Sequence, residues 1–352
     1  MTTASKVKKA KKRWHDACLD LSVVEARFVL LQALNAHLEA VLPFVDFGLA
    51  QCDDWSFGAL LSRWRSLILM KLKKPFWMAD LRVTRQSSSK FDLRLSRSRA
   101  LKFRTANEHS EGGLAAMADH QGRYMVFSQA FRQMDGRDPT MLRAGPLDEG
   151  RSGDSVQRIW NTQFMGERGN DAGGLYRESW SEFAAELQSP FLPLLVPTPN
   201  GRNNTGYGRD QWVLNPGSRS VTHRRMFGFL GKLMGMAIRT GEYMALNLAP
   251  VIWELIVGFG AHITAADIGT IDEFLPKTLH MLRNVEEIGV TEDTFEYVIT
   301  ESFTTTSVDG EREVELVPGG TNIDVVGWWS FNWFLLFRCS CGGLEYVSFF
   351  LS

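Results

Sequence analysis

The stretch FMGERGNDAGGLYRESWSEFAAEL, from Phe164 to Leu187, constrains the fold most, because its pattern is typical of a strand, a tight turn and a helix. Asp171 can accept hydrogen bonds from the free amides at the start of the helix, and Gly173 and Gly174 permit a tight turn there. The apolar residues of the helix share one face: Leu175, Trp180, Phe183, Ala184 and Leu187. The stretch therefore predicts a strand–turn–helix unit that buries this face.

The glycines of this stretch could also suggest a nucleotide-binding loop. A P-loop requires a Lys-Ser or Lys-Thr pair after its glycines, and a dinucleotide-binding turn requires a different glycine spacing. The sequence supplies neither pattern. A structural turn is the simplest interpretation of the glycines taken alone.

The same stretch resembles the opening of the HECT domain of ubiquitin ligases, whose signature is F-x-G-E-x-G-x-D-x-G-G-x-x-R-E. The matching positions are Phe164, Gly166, Glu167, Gly169, Asp171, Gly173, Gly174, Arg177 and Glu178. Further segments resemble the family in the same order along the chain. They are a proline-rich loop at 191–202, two central helices at 224–258, and a strand, Pro-Gly-Gly turn and second strand at 314–325.

The resemblance implies an α+β fold that is mostly helical, namely a HECT front lobe with small β-hairpins and a small subdomain that docks the ubiquitin-conjugating enzyme. We predict four regions. Residues 1–80 form a helical N-terminal region, and 81–155 form a basic strand and loop lead-in similar to that of large, HERC-like members. Residues 156–325 form the front lobe, and 326–352 form a divergent apolar tail.

Apolar periodicity refines the first two regions. It predicts one long helix over 14–42, ended by Pro43, and a second over 57–72 that runs towards Pro75. The segment 81–104 is rich in basic residues and predicts an exposed strand with Leu93 and Leu95 facing inward. Its charge is compatible with phosphate binding or with a solvated face, and the lack of interleaved aromatic residues favours the second.

Residues 263–284 resemble the small docking subdomain of the family. Thr264 and Asp267 predict a capping box at the start of a helix there. The resemblance implies that apolar side chains of this part receive an aromatic-tipped loop of the conjugating enzyme. The candidate contacts are Leu275, Thr278, Leu279 and Leu282, with Tyr297 as a further candidate. The alternative is that these leucines form the core of the subdomain.

Ubiquitin transfer in this family passes through a thioester on a back-lobe cysteine, so a nucleophilic thiol is indispensable. After Val325 the sequence departs from the family pattern, and the family's Thr-Cys motif does not follow. The context of Cys339 and Cys341, FRCSCGG, does not match that motif. We therefore expect a chain truncated before the catalytic back lobe, with no catalytic residue, and also no metal site or cofactor.

Composition limits the other classes of function. The 39 basic and 40 acidic residues nearly balance, which argues against a nucleic-acid partner, and four cysteines are too few for a disulfide framework. The basic N-terminus lacks the apolar core of a signal peptide, and the apolar run 325–337 is short for a membrane span. We expect a cytoplasmic protein. KKAKKR at 8–13 is either a nuclear import patch or a solvated helix end.

Three functions are compatible with these observations. The first is a HECT-type ubiquitin-protein transferase by resemblance, inactive as this chain. The second is a non-catalytic module that binds a ubiquitin-conjugating enzyme, and the third is a nonfunctional fragment with an exposed apolar tail. The expected partners are a ubiquitin-conjugating enzyme and, as a second candidate, ubiquitin.

Overall fold

A computed structural model describes residues 20–45, 55–85, 90–109, 116–143, 158–167, 173–258, 263–284, 289–291, 293–298, 302–307, 310 and 313–325. The chain divides into two compact units, Met1–Arg85 and Gln86–Ser352. The predicted boundaries at residues 80 and 155 stay predictions. Within the described ranges, no helix is both long enough and apolar enough to cross a bilayer.

The first unit contains helices α1 (Leu21–Val41), α2 (Phe57–Arg63) and α3 (Met70–Val83). Helix α1 starts at Asp20, whose carboxylate accepts a hydrogen bond of 2.9 Å from Ser22 N. It ends where a 3-10 turn, Leu42–Phe44, begins around Pro43, as the sequence predicts. The part of the predicted helix before Asp20 lies outside the described residues. The core of this unit is small: Leu38, Leu42, Leu61, Ile68 and Leu72.

The predicted single helix over 57–72 is wrong, because the chain breaks between α2 and α3. Buried Asn35 of α1 holds the broken segment: its Nδ2 donates to Leu67 O at 2.9 Å, and its Oδ1 accepts from Leu69 N at 2.8 Å. A side-chain amide thus satisfies backbone groups that a continuous helix would have paired internally. Pro75 lies inside α3 and does not end it.

The second unit is built on two parallel strands, β1 (Phe91–Leu95) and β2 (Trp160–Phe164), with Leu93 opposite Thr162. Helices α4 (Arg97–Asn107) and α5 (Val126–Met134) lie between β1 and β2 in the chain, and α6 (Gly174–Leu187) follows β2. Helix α5 packs beside β1 and also against α6, and α6 packs beside β2. Leu93 and Leu95 are fully buried, which confirms their predicted inward orientation.

The predicted strand over 81–104 is therefore correct only at β1. Residues 81–83 belong to α3, and the chain turns into α4 directly after β1. Ser96 causes this switch, because its hydroxyl accepts a hydrogen bond from Arg99 N at 3.3 Å and caps α4. Ala100 then packs, fully buried, into the core.

Two glutamines of α5 close the outer edge of β1. Gln133 accepts from Arg94 N at 3.1 Å and donates to Arg94 O at 2.7 Å. Gln129 does the same with Ser96 N and O, at 2.7 and 3.0 Å. The spacings agree, because four helical residues rise about 6 Å and two strand residues rise roughly 6.7 Å. The side-chain amides therefore take the place of a third strand.

The remaining elements continue the unit. Strand β3 (Leu195–Pro197) pairs antiparallel with β4 (Trp212–Leu214), and the short helix α7 (Pro199–Asn203) lies between them in sequence. Then come α8 (Val221–Thr240), α9 (Pro250–Ile256), α10 (Ala265–Gly269), α11 (Phe274–Arg283), α12 (Phe295–Val298), β5 (Thr304–Thr306) and β6 (Glu313–Glu315). The fold is mostly helical α+β, which confirms the predicted class.

The predicted packing face of α6 is confirmed, with one residue only partly buried. On α6, Trp180, Phe183, Ala184 and Leu187 are buried, whereas Leu175 packs at the edge of the core. On α8 the buried residues include Met226, Leu230, Leu233 and Ala237, with Met234 partly buried.

The predicted strand, turn and strand over 314–325 is wrong in its second half. Strand β6 pairs antiparallel with β5 instead, and Gly320–Asn322 forms a 3-10 turn. The Glu315 carboxylate explains the difference, because it accepts hydrogen bonds from Gly319 N at 3.0 Å and Thr321 Oγ1 at 2.8 Å. These local bonds close the turn before a second strand can start.

Glu186 of α6 caps α5 from inside the core. The side chain is only 2% exposed, and its two oxygens accept from Val126 N at 2.9 Å and Phe127 N at 2.7 Å. Burial raises the pKa of this carboxyl from 4.5 to about 7, against the opposing effect of the two backbone amides. The folded chain therefore holds a proton here that the unfolded chain releases at lower pH.

We predict that Gln129→Glu lowers the free energy of unfolding by about 2 kcal/mol, because a carboxylate cannot donate to Ser96 O and Tyr124 O as the Gln129 amide does. Urea unfolding measures the change. Gln121→Glu, at an exposed position, is the matched control. Equal stability of the two variants would contradict the edge-closing role.

Glu186→Gln tests the buried carboxyl. Because its pKa is raised, the folded state binds more protons than the unfolded state between pH 4.5 and about 7, so this group's contribution to stability falls as pH rises through that range. We compare the free energy of unfolding of the unmodified chain with that of Glu186→Gln. The value for the unmodified chain minus the value for the variant should fall by up to about 3 kcal/mol from pH 5 to pH 8. A difference that stays constant with pH would refute the raised pKa.

Candidate functional site

The glycines of the signature stretch have backbone conformations that suit glycine. Gly166, two residues after the end of β2, has φ = 87°, and Gly173, the residue before α6, has φ = 113°. Both values lie in the left-handed region, where a side chain would be strained. Gly174 is the first residue of α6. Asp171 lies outside the described residues, so its capping role stays a prediction.

Two glutamates of the signature bind one arginine of α4. Arg97 Nη1 donates to Glu167 Oε2 at 3.1 Å, and Arg97 Nη2 lies 2.6 Å from Glu178 Oε1. A third carboxylate, Glu182 Oε1, lies 3.1 Å from Nε, and the guanidinium carbon lies 3.7 Å from the centre of the Phe164 ring. These contacts join the start of α4 to both ends of the signature stretch.

Sequence reasoning missed Arg97. The available signal was the pair Glu178 and Glu182, four residues apart on α6 and therefore on one side of the helix. Arg177 of the signature points elsewhere: its Nε lies 4.0 Å from Glu242 Oε1, a carboxylate whose pKa is raised by burial. Glu167, Arg177 and Glu178 thus form contacts inside the domain.

The candidate docking part begins with the predicted capping box, which is confirmed. Asp267 Oδ2 accepts from Thr264 N at 2.8 Å and from Thr264 Oγ1 at 2.7 Å, and these bonds lower the pKa of Asp267. The next helix, α11, is capped by Asp272, whose Oδ1 accepts from Phe274 N at 3.0 Å and Leu275 N at 3.1 Å. Both helices therefore have well-defined starts.

The predicted contact residues all lie on α11 and α12. Leu275 and Thr278 are half-buried, and Tyr297 is 86% exposed. Leu279 and Leu282 lie on α11, but their side chains are outside what the structure describes. By helical spacing, positions 275, 279 and 282 share one side of α11. The leucines therefore stay candidates both for contact with the conjugating enzyme and for the core of the subdomain.

A second side of α11 exposes apolar residues that the sequence analysis did not select. Phe274 and Met281 are 52% and 50% exposed, and with Thr278 they follow the spacing i, i+4 and i+7. The resemblance drew attention to the leucines, whereas this spacing would have revealed the other side. The two sides meet at Thr278.

Further residues are buried after α11: Val290, Phe295, Phe303, Leu316 and Val325. Ile271, between α10 and α11, belongs instead to the main core of the unit. Among the described residues there is no group of three or more side chains that could hold a metal ion. All four cysteines fall outside the described ranges.

We predict that Arg97→Ala lowers the free energy of unfolding by about 2 kcal/mol, a value that allows for the partial exposure of the carboxylates. Three carboxylates would lose their shared cation, and Phe164 would lose the stacked guanidinium. Arg97→Lys should recover only part of the loss, because an ammonium lacks the planar fork. Arg94→Ala, at an exposed position of β1, is the control, and an equal effect of both alanine variants would contradict the assignment.

Comparison with known proteins agrees with this geometry. The family model described as "HECT-domain (ubiquitin-transferase)" matches residues 181–327. The chain is 35% identical over 223 residues to "E3 ubiquitin-protein ligase HERC2" of Mus musculus and 34% identical to that of Homo sapiens, covering 63% of this chain and 4% of each relative. It is 28% identical over 246 residues to the Homo sapiens "Probable E3 ubiquitin-protein ligase HECTD4", covering 69% of this chain and 6% of that protein.

The chain thus spans only a small part of the length of these relatives. HECT-type ligases in general work with ubiquitin-conjugating enzymes and ubiquitin. The signature residues that the structure describes lie at the end of β2, shortly after it, and at the start of α6. Residues 181–327 therefore belong to a HECT-type ubiquitin ligase domain.

Proposed function

We propose that this chain binds a ubiquitin-conjugating enzyme through α11 and Tyr297, and so provides the docking step of HECT-type ubiquitin transfer. The family suggests the partner. The observation that carries the proposal is the apolar side of α11, on which Phe274 and Met281 are half exposed. Tyr297, on the next helix, adds an exposed aromatic ring.

These residue types suit a protein interface. Each Å² of apolar surface removed from water stabilises a complex by roughly 25 cal/mol, and aromatic side chains often form the central contacts of an interface. Met281 can adapt its shape to the partner. Lys277 of α11 forms an ion pair with Glu273, the residue before the helix, and the pair places charge beside the apolar side.

The proposal concerns binding and does not assign the thioester step to this chain. Cys339 and Cys341 do not match the family's Thr-Cys motif, so we expect no ubiquitin thioester on them. To test this, the chain is mixed with a ubiquitin-loaded conjugating enzyme and examined for an adduct that reducing agent removes. An adduct that disappears in Cys339→Ala or Cys341→Ala would show that the expectation is wrong.

We predict that Phe274→Asp weakens binding of the conjugating enzyme at least about tenfold, because it places a charge in the apolar contact. Val221→Asp is the matched control: both residues are exposed, and each is the first residue of its helix, where an acidic side chain is tolerated. Isothermal titration calorimetry measures both affinities. Leu279→Asp, measured in the same way, tests the other side of α11.

Equal affinities of Phe274→Asp, Leu279→Asp and the unmodified chain would contradict docking through α11. No binding by the correctly folded, unmodified chain would exclude the proposal altogether. That outcome would favour the nonfunctional-fragment interpretation of the sequence.

A further inference from the structure

We infer that Asn200 is a positioning residue for partner docking. It holds the start of α11 against α7 and so fixes the orientation of the apolar side of α11, which carries Phe274 and Met281. The inference rests on the function proposed for α11. Asn200 lies on α7, outside 263–284, and its side-chain hydrogen bonds go to Tyr207, Thr270 and Glu273, not to the exposed side of α11.

Asn200 is fully buried, with 0% exposure, and its hydrogen-bonding groups are used in several directions. Its Nδ2 donates to Tyr207 O at 3.0 Å and to Thr270 O at 3.2 Å. Its Oδ1 accepts from Glu273 N at 2.8 Å, and its backbone N donates to Ile271 O at 3.0 Å. One residue therefore binds three positions of the segment 270–273.

That segment is the connection between α10 and α11. Glu273 directly precedes the first residue of α11, so a bond to its amide fixes where the helix begins. Ile271 is inserted in the main core beside these bonds. The donor and the acceptor of the Asn200 amide are both needed, and neither aspartate nor leucine offers both.

A second side chain of α7 contacts the segment between β5 and β6. Arg202, on the same short helix, lies against Gly310, in the segment between β5 and β6. A Cβ built at Gly310 would lie 2.5 Å from Arg202 Nη1, so the guanidinium occupies the space of a side chain there. Helix α7 therefore contacts the chain on both sides of α11 in sequence, at 270–273 and at Gly310.

The loop after α7 closes on the same junction. Gly206 has φ = +60°, and a Cβ there would lie 2.6 Å from Glu273 Oε2 and 3.0 Å from Asn200 Nδ2. Any side chain at Gly206 would therefore push on the residue that precedes α11. This provides a way to disturb the junction without removing a hydrogen-bonding group.

The test compares Asn200→Asp with Asn215→Asp. The side chain of Asn215 binds only residues outside 263–284: its Nδ2 donates to Pro193 O at 2.9 Å, and its Oδ1 accepts from Gly217 N at 2.8 Å. Both variants should be less stable to urea. Only Asn200→Asp should weaken binding of a ubiquitin-conjugating enzyme, by about fivefold or more, because only it loosens the geometry of the docking side.

Hydrogen exchange of the chain without partner gives the second readout. Amides of 273–283 should exchange faster in Asn200→Asp, whereas those of α8 should not change. Gly206→Ala should reproduce the affinity loss and the local exchange, and it replaces Asn200→Asp if that variant does not fold. Unchanged exchange at 273–283, or equal loss of affinity in Asn200→Asp and Asn215→Asp, would overturn the positioning role.

The two proposals fail in different ways. If the unmodified chain binds no conjugating enzyme, docking is refuted, and faster exchange at 273–283 would then show a structural role for Asn200 in place of the positioning role. If the chain binds and the Asn200→Asp affinity is unchanged, docking stands and positioning is refuted.

Discussion

The second unit depends on the parallel pairing of β1 with β2. Parallel strands need a crossover connection, and this one carries α5 into the core, where its glutamines close the edge of β1. The pairing also brings Arg97 onto the three glutamates around the signature stretch. Strand β1, α4 and α5 therefore contribute to the same core as the segment that the family model matches, although that match starts at residue 181.

The sequence predicted those parts of the fold that depend on local pattern. The buried face of α6, the inward leucines of β1 and the capping box at Thr264 follow from periodicity or from a motif of four residues. The predictions from sequence were wrong where a polar side chain forms hydrogen bonds that replace those of a regular helix or strand. The break held by Asn35 and the turn closed by Glu315 both replace a regular element by side-chain hydrogen bonds.

The candidate site was predictable only in outline. The resemblance located α11 and Tyr297, but the choice between docking and core needs the packing of each side of the helix. Exposure identifies Phe274 and Met281, which the resemblance did not. The role of Asn200 could not be predicted, because its partners lie about seventy residues away in the sequence and only the fold brings them together. Long-range polar contacts carry no periodic signal.

The central claim is that α11 and α12 are the surface on which a ubiquitin-conjugating enzyme docks. Hydrogen exchange of the whole chain, with and without a saturating conjugating enzyme, tests it most directly. We predict slower exchange in 273–283 and 293–298, with no change in α5 or α8. Protection confined to other parts of the chain, or no protection at all, would contradict the account.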